Sequence, residues 1–282
     1  MTGGASGLGR ALCEQLAQRG AVVVIADINK QGASEVAHTV KQRGLQAEAV
    51  ELDVANADAL NHVVEQTVSK YRRLDFMFNN AAIAVVGELR DTAPEDWRRI
   101  VEVNLLGVIY GSMAAYQTMI QQGSGHIVNV SSMTGLMPTP ILTHYNTTKW
   151  GIVGFSTSLR LEAASLGVKV SIACPSLIRT NIPDRTKYLN IDKQAYLALL
   201  PWRLMSEPVA VAKAILRGAR RNQSIIIYPF YARLGWWCYR LWPGIFAPLF
   251  RKTLKDFRKS RLGDHRSAND QHDCKTDTTC RP

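Results

Sequence analysis

Cysteine is scarce in this chain of 282 residues: Cys13, Cys174, Cys238, Cys274 and Cys280 show no paired framework and no metal-ligand spacing. That pattern argues against a disulfide-stapled or zinc-ribbon fold, and with no secretory pattern at the amino end a reducing, cytoplasmic setting is expected. The six histidines are scattered, so no metal site is expected, and His144 reads as pocket lining. No internal repeat is visible. Long hydrophobic runs are also missing, because a spanning helix needs roughly 20 unbroken apolar residues. The greasiest stretch, Ile225 to Phe250, is interrupted by Pro229, Arg233, Arg240, Pro243 and Pro248. Acids are depleted in one region only. Residues 203–261 carry 13 Lys and Arg against 2 Asp and Glu, which concentrates the net charge of +11 there.

What is present is a large apolar supply, 46% of residues, enough for one sizeable core. Apolar, β-branched runs near 21–27, 46–52, 74–79, 125–131, 168–174 and 224–228 alternate with helical periodicity. This alternation predicts an α/β fold, a doubly wound parallel sheet of Rossmann type flanked by helices. A long helix from about 94 to 121 is expected, with Thr92 as its cap, Glu95 and Asp96 in its first turn, and Gly123 and Gly125 ending it.

The most informative stretch for chemistry is HYNTTK. Tyr145 and Lys149 are four apart, so on a helix over 143–166 they share one face. A neighbouring ammonium favours the phenolate, which predicts a Tyr145 pKa drawn down toward the working range of a general base. Ser132 follows the buried run HIVNVSS, so its hydroxyl is expected at a strand's carboxyl end, where it can hold a substrate oxygen.

TGGASGLG places Gly3, Gly7 and Gly9 ahead of a helix with Leu8, Leu12 and Leu16 on one stripe. Glycines there let backbone approach a pyrophosphate, and the helix amino end offers free N–H groups. The β-branched run in AVVVIADI ends in Asp27, its penultimate residue, eighteen residues after Gly9. A carboxylate at that place can accept from an adenosine ribose diol and repels a 2′-phosphate, so NAD(H) is favoured, with NADP(H) left open. The competing reading of Asp27 is a helix cap or turn former.

Taken in order, TGGASGLG, LDV with Asp53, NNAA at 79–82, Asn104 in VNLLG, Ser132, Tyr145 with Lys149, and CPSLIRT resemble the short-chain dehydrogenase/reductase family over residues 2 to about 228. The resemblance implies that Gly3, Ser6, Gly7, Leu8 and Gly9 form the cofactor turn, that Asp53 and Val54 bracket the adenine, and that Asn79, Asn80 and Ala81 pass close to the cofactor. It implies that Lys149 holds the nicotinamide ribose and that Pro175, Ile178 and Thr180 secure the carboxamide end. Asn104 is implied as the holder of a relay water beside Lys149, although an Asn in a helix can equally bond backbone alone. A homodimer or homotetramer paired through the long helix is likewise implied.

Three departures stand out: Pro175-Ser176 where the family has Pro-Gly, Thr147-Thr148-Lys149 where it has Ala-Ser-Lys, and a second Ala at 82. None removes a catalytic group, while Ser176 alters the expected pocket shape. The family's first strand has no counterpart before the glycine turn, so that strand reads as missing and Met1 is expected not to be the natural start.

The expected division is a catalytic unit over 1–228, an aromatic, basic, amphipathic extension over 229–261, and a polar, disordered tail over 262–282. Trp-rich pieces interleaved with Arg and Lys describe a segment lying in a membrane interface, on the inner, anionic face. Covering the substrate pocket or a subunit contact is the competing reading, and nucleic acid is not an expected partner. The stretch after Thr180 is rich in apolar residues, among them Ile182, Tyr188, Tyr196 and Trp202, as is LMPTPIL before Tyr145. Together these predict an NAD(P)-dependent alcohol dehydrogenase or carbonyl reductase acting on a lipophilic fatty alcohol or aldehyde, retinoid or steroid. An NAD-retaining epimerase or dehydratase, and a non-catalytic membrane-tethered nucleotide-binding protein, are the alternatives.

Overall fold

The computed structural model describes residues 1–262. Cys274, Cys280 and the polar tail beyond Leu262 lie outside the described residues.

Six strands fall within two residues of their expected positions: β1 (Val23–Asp27), β2 (Ala47–Glu51), β3 (Phe76–Asn79), β5 (Gly125–Val130), β6 (Val168–Pro175) and β8 (Ile225–Tyr228). All pair in parallel, in the orders β1-β2 and β3-β5-β6-β8. Central strands are covered on both faces, as the almost wholly buried β5 and β6 are, while IIIY of β8 forms the half-buried edge. A second, very short parallel pair joins β4 (Val85–Val86) to β7 (Lys187–Tyr188) at the sheet's carboxyl end.

Helices cover both faces. On one, α3 (Ala57–Tyr71), α5 (Gly107–Gln122) and α6 (Thr143–Ala163) bury Leu60, Ala115, Met119, Leu159 and Ala163 against Met77, Ile127 and Val170. On the other, α1 (Gly7–Ala17) and α8 (Pro208–Arg220) pack Leu8, Leu12, Val211 and Ile215 on Phe78, Val128 and Ala173, while α2 (Lys30–Gln42) sits on Ile25. Asn29 and Asn56 start α2 and α3 by accepting the amides of Gly32 and Ala59, each at 3.0 Å. The doubly wound parallel architecture is thus as expected.

Between β1 and β3 lie Met1 and Thr2. Ala26 donates its amide to the Met1 carbonyl at 2.9 Å, and Thr2 donates to the Phe78 carbonyl at 3.0 Å. The lane expected to hold the family's first strand is bridged, among the described residues, by these two residues, and the ladder is divided there into its two parts.

The long helix is interrupted. After α4 (Pro94–Val101), residues Glu102–Leu106 form a π turn before α5 begins. Thr92 is not the cap: its hydroxyl donates to the Leu89 carbonyl, and Asp96 instead accepts the Ala93 amide at 3.0 Å. Gly123 closes α5 at φ +66, while Gly125 opens β5.

Candidate active site

Parallel strands bring their carboxyl ends to one edge of the sheet, and the motifs collect there. The Thr2–Ser6 turn feeds α1, whose first amides face that edge. Gly3 and Gly7 have φ of +65 and +53, a region that disfavours side chains. A Cβ on Gly9 would stand 1.9 Å from the Gly3 carbonyl oxygen, and one on Gly3 would stand 2.7 Å from Ala81 Cα. The turn is therefore as close to the β3 loop as backbone allows. Asn80 ties the two together, donating Nδ2–H bonds to the Thr2 and Gly3 carbonyls at 3.1 and 3.0 Å. The Thr2 hydroxyl accepts the Asn80 and Ala81 amides at 3.0 and 3.2 Å. This role of Thr2 was not foreseen from sequence, although a hydroxyl beside the first glycine is its signal.

Asp27 ends β1 and is buried; its two oxygens accept the amides of Ala5 at 3.0 Å and Asn29 at 2.9 Å. The carboxylate braces the glycine turn from behind and keeps lone pairs to offer a hydroxyl donor. Asp53 accepts the Ala55 amide at 3.0 Å and pairs with Arg99 at 3.6 Å, while Val54 is buried against the chain at Gly107. From the far side, the Thr180 side chain reaches Gly7. Pro175 pairs in register with Tyr228, and Ile178 bridges Ser206. A glycine cradle with open helix amides and a buried carboxylate at the adjoining strand end fits a dinucleotide in shape and polarity.

Ser132 leaves β5 with extended backbone, its Oγ accepting the Thr134 amide at 3.2 Å, and its hydroxyl lies near enough to the Tyr145 phenol to favour the phenolate. Lys149 is almost completely buried on α6; its Nζ donates to the Val130 carbonyl at 3.0 Å and lies 5.4 Å from the Tyr145 ring centroid. The Ser131 hydroxyl donates to the Lys149 carbonyl at 2.8 Å, fixing helix to strand. The doubled serine is the only sequence signal for this role of Ser131. The three expected groups are thus brought together.

The Tyr145 pKa, however, moves opposite to expectation. Burial pushes the phenol up to about 12, the Ser132 hydroxyl opposes that rise, and the nearby Tyr196 on α7 (Lys193–Ala198) adds to it. Burial also brings the Lys149 ammonium down to about 8. Desolvation is the largest influence on each group, and it exceeds the opposing effect of Ser132 on the phenol.

Asn104 sits fully buried within the π turn. Its Oδ1 accepts the Ile83 amide at 2.8 Å and its Nδ2 donates to the Ile83 carbonyl at 2.9 Å and to Thr148 Oγ1 at 3.4 Å. Its side chain serves backbone, the competing reading of this residue, and links the β3 loop to α6. A π turn is a frequent mark of a functional position. His144, expected to line a pocket, is instead buried against Trp97, with ring centroids 5.8 Å apart. A separate crevice lies on the face of α6 bearing Thr143, Thr147 and Trp150, with Phe250 opposite. That face points away from Tyr145 and Lys149.

The family model described as short chain dehydrogenase matches residues 1–188. The chain belongs to the short-chain dehydrogenase family. The 3-oxoacyl-[acyl-carrier-protein] reductase of Synechocystis is 32% identical over 216 residues, covering 76% of this chain and 85% of the relative. The cyclopentanol dehydrogenase of Comamonas is 31% identical over 218 residues, covering 77% and 86%. In structure, a short-chain dehydrogenase/reductase from Burkholderia phymatum in complex with NAD superposes with a TM-score of 0.77 at 24% identity, over 86% of this chain and 93% of that one. This short-chain dehydrogenase is accordingly an NAD(P)-dependent oxidoreductase. Among its described residues, no helix is long and apolar enough to cross a membrane.

Proposed function

We propose that this short-chain dehydrogenase interconverts an alcohol and a carbonyl on a lipophilic skeleton and prefers NAD(H). The observation that carries the chemistry is the Ser132–Tyr145–Lys149 cluster, with Lys149 Nζ 5.4 Å from the phenol ring centroid and the Ser132 hydroxyl beside the phenol.

In the reduction direction, a phenol whose pKa stands at about 12 is protonated at neutral pH and ready to give its proton to a carbonyl oxygen. Ser132 donates a hydrogen bond to that oxygen, and Lys149 stabilises the phenolate left behind. In the oxidation direction Tyr145 takes the hydroxyl proton. A bound nicotinamide supplies or accepts the hydride. Gly3, Ser6, Gly7, Leu8 and Gly9 hold its pyrophosphate, Asp27 its adenosine ribose, Asp53 and Val54 its adenine, and Asn80, Ala81, Pro175, Ile178 and Thr180 its nicotinamide half. Lys149 binds the nicotinamide ribose, and Asn104 keeps the proton path beside it in register.

Support for a lipophilic substrate comes from the segment after Thr180. Ile182, Leu199, Trp202 and Leu204 are exposed there, and the Tyr188 and Tyr196 rings meet at a tilt with centroids 5.5 Å apart. The names of the relatives, a 3-oxoacyl reductase and a cyclopentanol dehydrogenase, also point to apolar skeletons.

Tyr145→Phe tests the reading. It is expected to cut turnover by about a hundredfold to ten-thousandfold while NADH still binds in a fluorescence titration. Unchanged turnover of medium- and long-chain alcohols would remove the proposal. Equal kcat/KM with NAD and NADP would remove the cofactor preference assigned to Asp27.

A further inference from the structure

Residues 208–255 contain nine Lys and Arg and no Asp or Glu. The structure folds the second half of this stretch into α9 (Phe230–Leu241), a 3-10 turn over Pro243–Phe246, and α10 (Ala247–Lys259).

Phe230, Leu234, Trp237 and Leu241 recur at i, i+4, i+7 and i+11, so they form a single stripe along α9. All four face solvent, as do Trp242, Ile245 and Leu249 after them, each between 45% and 80% exposed. Surface apolar residues scattered singly need no explanation, but a contiguous stripe does. The stripe is held outward. Ala232 and Trp236, on the opposite side of α9, pack on Met133, Leu136 and Ile172. Tyr231 donates its hydroxyl to the Leu204 carbonyl.

The far end is clamped as firmly. Phe257 is fully buried with Val86, Ile141 and Ile191, Arg258 pairs with Glu88 at 2.6 Å, and Arg261 pairs with Asp91 at 2.7 Å. The two helices therefore cannot roll over to hide their apolar side without breaking core contacts.

Two occupants from this protein itself fit poorly. Residues 263–282 contain no Val, Ile, Leu, Met, Phe, Trp or Tyr, so they offer nothing to bury the stripe. A second copy would set one strongly cationic face against another, with Asp256 as the one acid in α9 and α10. An anionic lipid surface matches both properties, taking Trp and Leu at headgroup depth and cations against phosphates.

We propose that the α9–α10 face docks on an anionic phospholipid bilayer, burying Leu234, Trp237, Leu241 and Trp242 in the interface while Arg233, Lys252 and Lys255 meet the headgroups. The Tyr231–Leu204 contact places the apolar segment after Thr180 alongside, so a lipid-borne substrate has a short route from the bilayer. The docking face itself does not depend on the catalytic reading.

Flotation of the full chain with phosphatidylglycerol-containing vesicles, against pure phosphatidylcholine vesicles, tests the assignment. The chain is expected to float only with the anionic vesicles, with a blue shift in tryptophan emission and weakening by salt. K252Q/K255Q is expected to lower vesicle affinity about twenty-five-fold, each cation at an anionic surface contributing about a factor of five. L234S/L241S is expected to abolish flotation with the circular-dichroism melt unchanged, since both side chains are exposed. The proposal is overturned if the wild type stays with the soluble fraction at low ionic strength, or if L234S/L241S floats as well as the wild type. It is also overturned if light scattering shows that this variant only splits a dimer that never bound vesicles.

Discussion

Lys149 places its ammonium 5.4 Å from the Tyr145 ring centroid yet spends a hydrogen bond on the Val130 carbonyl at 3.0 Å. The cation is thus locked to the end of β5, and it is held where a phenolate can form beside it. Its burial has a cost that can be read in the pH dependence of stability.

Lys149 has its folded pKa lowered from 10.5 to about 8. Between those values the unfolded chain binds the extra proton, so stability rises with pH through that window and the full penalty is present below it. Subtracting the stability of Lys149→Met from that of the wild type, by urea denaturation, should give a difference that grows by about 3 kcal/mol from pH 8 to 10.5. A flat difference would mean that Lys149 is far better solvated than its environment indicates.

His126 behaves in the same sense at lower pH. It is buried beside Phe76, shares a 2.9 Å hydrogen bond with Ser171, and has its pKa lowered from 6.5 to about 4 by burial. As pH falls through that window the unfolded state gains the proton first, so the wild type should lose about 3 kcal/mol that His126→Gln does not lose. Paired acid titrations followed by circular dichroism would measure it.

Gly9→Ala should damage the cofactor turn more than the fold. The new Cβ meets the Gly3 carbonyl oxygen at 1.9 Å, and that atom is backbone braced by Asn80, so the turn must move. A shift costing about 1.4 kcal/mol or more of binding energy weakens NADH affinity about tenfold or more. Fluorescence titration gives the affinity, and the melting temperature separates this from global unfolding.

Phe257→Ala should cost about 3 to 5 kcal/mol, because a fully buried aromatic leaves a cavity between α10 and the β4–β7 pair. With the wedge gone, α10 should become the first site of limited proteolysis, read by mass spectrometry. Cleavage elsewhere first would show that the Arg258 and Arg261 ion pairs hold the helix unaided.

Much of the framework was legible because its signals are local. The six strands announce themselves as β-branched runs, and Gly3, Gly7 and Gly9 announce a turn that side chains would block. The π turn at Glu102–Leu106 was hidden, since VEVNLLG keeps helical periodicity and only the bond from Ile83 to Asn104 calls for the extra residue. Thr92 was a plausible cap by type; its hydroxyl found the Leu89 carbonyl first. The partners of Arg258 and Arg261, 170 residues away, have no sequence signature at all.

Four-residue spacing by itself sets Tyr145 and Lys149 on one side of a helix, and the strand before Ser132 sets that hydroxyl at the sheet's edge, because backbone geometry relates near neighbours without help from the rest of the chain. Packing alone decided that the phenol is harder to ionise than in water, that Asn104 is occupied by Ile83, and that the stripe on α9 faces outward. Those outcomes depend on desolvation and on contacts between distant segments, quantities that exist only once the layers have closed.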